Sequence, residues 1–173
     1  MSSAKNRFLN NPKPINFQLD SFSKCSILTG ANSGGKTTLL EHVLQNISLY
    51  NLGLPVSGEL HMPIFSEVYY FAKNKGSASK GAFETLLTQM SNINPGKSTL
   101  ILADEIEAVT EPGVAGKIIS ATAKYFIEKN CFLIIATHLG HEIQKNLPNK
   151  ARIDGIEAKG LDKKFNLIVD HNP

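Results

Sequence analysis

With 173 residues the chain is sized for one domain, long enough to bury about 70 % of its unfolded surface. Hydrophobic residues make up 42% and charged residues 19%, and a formal net charge of +3 is too small to argue by itself for a nucleic-acid or membrane surface. Only two arginines occur, Arg7 and Arg152, which leaves little for bidentate reading of bases or phosphates.

Residues 1–14 are polar, carry Pro12 and Pro14, and read as a flexible leader ahead of a domain at 15–173. The opening Met1-Ser2-Ser3-Ala4-Lys5-Asn6-Arg7 has no signal-peptide core, and no apolar run reaches the roughly 20 residues that span a bilayer. The chain therefore reads as cytoplasmic, with no membrane partner. Ile15-Asn16-Phe17-Gln18-Leu19 alternates like a strand. Cys25-Ser26-Ile27-Leu28-Thr29 reads as a buried strand, and Thr38-Leu39-Leu40-Glu41-His42-Val43-Leu44 as the start of a helix. Between them Gly30-Ala31-Asn32-Ser33-Gly34-Gly35-Lys36-Thr37 fits the phosphate loop G-x-x-x-x-G-K-[ST]. Strand, glycine loop and helix make a cradle in which backbone N–H groups and the helix dipole hold an anion. Lys36 would reach the β- and γ-phosphates of ATP, and the Thr37 hydroxyl would ligate Mg²⁺. The plainer alternative is a glycine-rich turn that happens to contain Lys-Thr.

Residues 51–63 hold Gly53, Pro55, Gly58 and Pro63 and form the largest irregular stretch. Val68-Tyr69-Tyr70-Phe71-Ala72 is a strand candidate, followed by small polar residues at 76–81 and a helical pattern over 83–93. Ser98-Thr99-Leu100-Ile101-Leu102-Ala103 is an apolar strand that ends in Asp104-Glu105, the place where open α/β sheets bind ligands. There Asp104 would hold Mg²⁺ and Glu105 would polarise the attacking water, although such a pair can equally cap a helix. A helix over 114–128 leads to Cys131-Phe132-Leu133-Ile134-Ile135-Ala136-Thr137, a second apolar strand that ends in His138. His138 reads either as a structural histidine or as a switch that touches the γ-phosphate. Continuous apolar strands alternating with helices predict a mostly parallel sheet covered on both faces. Residues 151–159 and 164–171 read as an antiparallel hairpin turning around Gly160, and Cys25 and Cys131 as reduced core residues.

Phosphate loop, Asp-Glu and strand-end His together describe an ATPase of the ATP-binding-cassette type, an α/β fold with a mostly parallel sheet flanked by helices. In such enzymes a second subunit completes the site with a serine/glycine signature at a helix N-terminus. Ser77-Ala78-Ser79-Lys80-Gly81-Ala82-Phe83-Glu84 is the candidate here, with a flexible linker as its alternative. Phe17, Phe22 and Tyr50 are aromatic candidates for adenine contact, though each reads first as a core residue.

These residues resemble the C-terminal ATPase domain of the MutS family, in its divergent branch. The resemblance rests on residues 27–40, with Asn32 and Thr38 in the loop, and on Gly53-Leu54-Pro55-Val56. Residues 79–84, Leu102-Ala103-Asp104-Glu105, Thr110 and Ala136-Thr137-His138 extend it. It implies a homodimer that holds ATP and Mg²⁺ between subunits, with residues 30–38 and a partner copy's Ser79 and Gly81 around the nucleotide. Lys36, Glu105 and His138 would be catalytic, Thr37 and Asp104 would bind the metal, and nucleotide state would be coupled to DNA. Three departures accompany it. The family's usual Gly-Arg-Gly-Thr loop is replaced by Glu107-Ala108-Val109-Thr110, and Leu139-Gly140 intervenes before His141-Glu142. The family's DNA-contacting regions and closing helical segment are also absent, so an excised ATPase domain or a short stand-alone homologue is expected, with DNA bound by other regions of the parent protein. The alternatives are a nucleotide-gated dimerisation module with negligible turnover and a cassette ATPase of another kind. Against the last, residues 51–63 lack the glutamine of transport motors.

Overall fold

Parallel strands buried on both faces need helices on both sides, and the chain supplies them in alternation. The computed structural model describes residues 1–6, 15–30, 35–72, 80–96, 98–107, 111–161 and 167–171, of which 80–83, 157–161 and 167–171 are described by backbone alone. Its elements run β1 (Cys25–Thr29), α1 (Lys36–Asn51), β2 (Glu67–Ala72), α2 (Lys80–Ser91), β3 (Thr99–Asp104), α3 (Pro112–Glu128), β4 (Phe132–Ala136), α4 (Gly140–Gln144), β5 (Ala151–Leu161) and β6 (Leu167–His171). The sheet order is β2-β3-β4-β1-β5-β6. The first five strands are parallel, and β6 runs antiparallel to β5.

Alternation along each strand divides the core into two layers. Ile27, Ile101, Ala103, Leu133 and Ile135 face one layer with Ala115, Ile119, Ala123 and Phe126 of α3 and Ile143 of α4. Leu28, Leu100, Leu102, Ile134 and Ala136 face the other with Leu39, Leu40, Val43 and Ile47 of α1. This is why the strands read as unbroken apolar runs. The turn between α3 and β4 is closed locally: Asn130 takes a left-handed φ of 67°. The N–H of Cys131 bonds Phe126 O at 3.0 Å and that of Asn130 bonds Ile127 O at 3.0 Å, a Schellman closure that feeds Cys131 into the core beside Phe126.

Three expectations are corrected. Residues 15–19 form no strand; Ile15 makes a single bridge with Ala4. The alternation there comes from a segment held by residues 1–6, with the Met1 amine on Phe17 O at 2.9 Å and Ser3 N–H on Asn16 Oδ1 at 2.8 Å. Residues 1–6 are thus packed rather than a flexible leader, with Ala4 fully buried and Lys5 and Ser57 hydrogen-bonded to each other twice. Residues 7–14 lie outside the described residues. Gly160 does not turn the chain: β5 runs through it, with a shift of register between Ala158 and Gly160. A residue without a side chain tolerates such a bulge. The turn of the expected hairpin, at 162–166, lies outside the described residues.

Cys25 and Cys131 are buried, unpaired thiols. Burial, followed by the charge of Asp154, pushes Cys25 up to about 12, and burial, followed by the charge of Glu67, pushes Cys131 up to about 11. A thiol raised in this way keeps its proton to higher pH folded than unfolded. Its contribution to stability is present below its ordinary value of 9.0 and is lost as pH rises through about 11 to 12. Neither thiol should react with an aromatic disulfide reagent at pH 8 until denaturant unfolds the chain, when both react; rapid reaction of either in the folded protein would contradict this packing.

Candidate functional site

The site is assembled where β1, β3 and β4 end side by side. At the end of β1, Gly30 has a φ of +143°, and a Cβ there would lie 1.9 Å from the Ile156 carbonyl oxygen of β5. Only glycine fits. Ala31, Asn32, Ser33 and Gly34 lie outside the described residues. The chain resumes at Gly35, the N-cap of α1, also left-handed with a φ of 86°.

Lys36 opens α1 with its side chain 2% exposed. Its Nζ donates to Gly30 O at 2.7 Å and lies 3.8 Å from Glu105 Oε1. Thr37, next on the helix, lies near enough to the Asp104 carboxylate for its hydroxyl to favour the ionised form. Asp104 is 8% exposed, and its Oδ1 has no partner among the described residues. Burial raises its carboxyl above the usual range, and the charges of Glu105 and Glu41 add to this; the Thr37 hydroxyl and Lys36 oppose it. The phenol of Tyr70 on β2 is raised by burial and then by Asp104 and Glu41. Two carboxylates, those of Asp104 and Glu105, thus share the neighbourhood of one lysine.

Glu105 leaves the strand in a left-handed conformation, φ 45°, while its N–H bonds Ala136 O at 2.9 Å. For a non-glycine residue this is strained, and it stores energy where the carboxylate approaches Lys36. On the neighbouring strand Thr137 N–H bonds Leu28 O at 2.9 Å, and His138 follows with its side chain 53% exposed. The structure therefore brings Gly30, Gly35, Lys36, Thr37, Asp104 and Glu105 together and sets His138 at the adjoining strand end. Thr38 lies in the first turn of α1 and Gly81 in the first turn of α2. Ser79 and Thr110 fall outside the described residues.

Sequence reasoning missed Glu107. It is 3% exposed, and its Oε1 accepts from Thr137 Oγ1 at 2.6 Å and His138 N–H at 3.2 Å, with His138 Nδ1 also at 3.2 Å. No local pattern announces it, because its partners lie some 30 residues away. A cavity of about 590 Å³ opens beside Gly30 and is lined by Phe17, Leu28, Leu39, Arg152, Gly155 and Ile156. Arg152 sits over the Phe17 ring at 5.7 Å and pairs with Asp154 at 2.8 Å. Phe22 is 86% exposed and so is not a core residue. Among the described residues no group of three or more His, Cys, Asp or Glu forms a metal cluster, and no helix is long and apolar enough to cross a membrane.

No protein-family model matches the chain. It is 42% identical over 98% of its length to the DNA-binding protein MutS2 of Pyrococcus furiosus, of which it spans 32%. It is 31% identical over 90% of its length to the endonuclease MutS2 of Caldicellulosiruptor saccharolyticus, of which it spans 21%. The endonuclease MutS2 of Helicobacter pylori strain 26695 is 28% identical over 75% of the chain, which spans 18% of that protein. The chain thus spans a third or less of the curated relatives it matches. With nearly all of its own length aligned at 42% identity to one of them, the chain belongs to the MutS family.

Proposed function

We propose that this chain is an Mg²⁺-dependent ATPase unit that binds ATP and hydrolyses it to ADP and phosphate at a site shared by two copies, with the nucleotide state coupled to DNA in its parent protein. One observation carries the reading: the residues that open α1, Lys36 and Thr37, meet the carboxylates that end β3, Asp104 and Glu105. In this reading residues 30–38 hold the phosphates, with the positive end of α1 and Lys36 offsetting their charge. Phe17 and the apolar wall of the neighbouring cavity offer a surface for the base.

The metal assignment is supported by the chemistry of two oxygens. Asp104 keeps a buried oxygen without a partner among the described residues, beside the Thr37 hydroxyl. Mg²⁺ takes hard oxygen donors and typically one or two from the protein, so Thr37 and Asp104 fit it. When bound, the ion neutralises charge on the phosphate oxygens. Glu105 is assigned the proton of the attacking water and His138 the contact with the terminal phosphate.

Glu105 must leave Lys36 before it can act as a base. A second copy that presents Ser79, Gly81 and the start of its α2 supplies an occasion for that change, and it brings helix N–H groups in place of an arginine finger. The link to DNA rests on the relatives, one of which is named a DNA-binding protein and others endonucleases. DNA contact is assigned to regions outside these residues.

Steady-state phosphate release measured over a range of protein concentrations tests the reading. Turnover per subunit should rise with concentration, and Glu105→Gln should lower it by roughly 10²–10⁴ while ATP still binds. Lys36→Ala should abolish the thermal stabilisation that wild type gains from Mg²⁺-ATP, about 2.7 kcal/mol at a hundred times Kd. ATP-dependent dimerisation without phosphate release would replace the ATPase with a nucleotide-gated dimerisation module. Asp104 adds a prediction for the ligand-free protein. Its raised carboxyl binds a proton more tightly folded than unfolded, so ionisation costs stability as pH climbs through the raised value. Asp104→Asn should raise the melting temperature of the ligand-free protein at pH 7 and remove the stabilisation by Mg²⁺-ATP; a lower ligand-free melting temperature would contradict the account.

A further inference from the structure

We infer that Glu107 is a positioning residue for His138: it fixes the tautomer with the proton on Nδ1 and leaves Nε2 as the working nitrogen of the ring. The assignment of that nitrogen to nucleotide chemistry rests on the ATPase reading; the tautomer itself does not.

The direction of the hydrogen bonds follows from the network. Leu139 N–H donates to Thr137 Oγ1 at 3.0 Å, so the hydroxyl has its own proton to give, and Glu107 Oε1 accepts it at 2.6 Å. The same oxygen accepts His138 N–H at 3.2 Å. His138 Nδ1 lies 3.2 Å from that same oxygen, a close approach rather than an aligned hydrogen bond, and a ring lone pair turned toward a carboxylate oxygen at that distance would be repelled. Nδ1 therefore carries the N–H, and in the neutral ring Nε2 bears the lone pair. Because the side chain is about half exposed, Nε2 lies within reach of water or a ligand.

The choice of residue makes the same point. A glutamine carbonyl could also accept the Thr137 and His138 protons, yet the position holds a full carboxylate, 3% exposed, whose Oε2 has no partner among the described residues. Burying a charge is costly unless a neighbour offsets it, and His138 is the group in contact with Glu107 that can become a cation. The arrangement also gives the histidine a direction. A neutral Nε2 accepts a hydrogen bond from water and repels a phosphate oxygen; once protonated it donates to that oxygen, with Glu107 balancing the charge behind it.

Two-dimensional ¹H–¹⁵N spectra of the full chain with ¹⁵N-labelled histidine test this, with His138 assigned through a His138→Gln variant. Wild type should show an unprotonated Nε2 and a protonated Nδ1 at a pH where the ring is neutral. Glu107→Gln should keep that pattern, because its carbonyl still accepts, and Glu107→Leu should lose it. A protonated Nε2 in the neutral wild-type ring overturns the inference, and so does an unchanged pattern in a folded Glu107→Leu. Should Glu107→Leu fail to fold, the wild-type and Glu107→Gln spectra decide. In turnover, Glu107→Leu should lower kcat with KM unchanged and cause no further loss in the His138→Gln background. If wild type shows the predicted tautomer but no phosphate release, the ATPase reading fails and the positioning of His138 stands.

Discussion

The structure turns on the insertion of β4 between β1 and β3. Leu133, Ile134, Ile135 and Ala136 pair with Cys25–Leu28 on one side and Ile101–Asp104 on the other, all parallel. Parallel strands need long crossovers, so every strand in this set delivers its carboxyl end to the same edge. The ladder continues one bond past each strand, from Glu105 N–H to Ala136 O and from Thr137 N–H to Leu28 O. Those two bonds hold the backbones of the carboxylate turn and the histidine turn in register with the phosphate-loop strand. A slip of one residue would exchange the two faces of β4 and move Ile134 and Ile135 into the wrong core layers, so packing enforces the register that the site requires.

The second constraint is electrostatic. Asp104 lies among the charges of Glu105, Glu41 and Lys36 with the Tyr70 phenol also near it, and its shift records first the cost of burying a carboxylate and then that of the like charges. A site so composed is relieved by positive charge. Lys36 supplies one unit from within, held against Gly30 O, and Arg152 supplies none because it is committed to Asp154 and the Gln18 carbonyl. The left-handed backbone of Glu105 is a further cost at the same place, paid to turn its carboxylate toward the lysine.

What was legible in the sequence was what local chemistry or two-sided burial fixes. β3 and β4 announced themselves as unbroken apolar runs because α1 covers one face and α3 the other, and Gly30, Lys36, Asp104 and His138 could be placed because each is tied to the end of such a run. What was not legible depends on distant partners. Residues 15–19 look like a strand but begin in a segment held by the chain's own first residues, through Met1 on Phe17 and Ser3 on Asn16. The five-residue α4 is too short to show a helical period, and it is placed by Gly140 against Thr29, where a Cβ would lie 2.6 Å from the threonine hydroxyl. Gly160 looked like a turn because a glycine inside a strand has no distinguishing mark until the register is known.

Glu107 is the sharpest example, because the sequence displayed it as a loss. Where the MutS-family pattern carries Gly-Arg-Gly-Thr, this chain has Glu107-Ala108-Val109-Thr110, and the missing arginine draws the eye first. A glycine at that position has no side chain with which to hold an imidazole, whereas the glutamate reaches the hydroxyl, the backbone N–H and the ring nitrogen across the gap between β3 and β4. Arg to Ala and Gly to Glu together make the loop more negative by two units, and one of them is buried. That buried oxygen, Glu107 Oε1, is met by the Thr137 hydroxyl and the His138 N–H, with the imidazole beside it. The loop that gives up an arginine thus acquires a means of setting the histidine on the next strand, and the carboxylate turn and the histidine turn are held together by side chains as well as by the ladder beneath them.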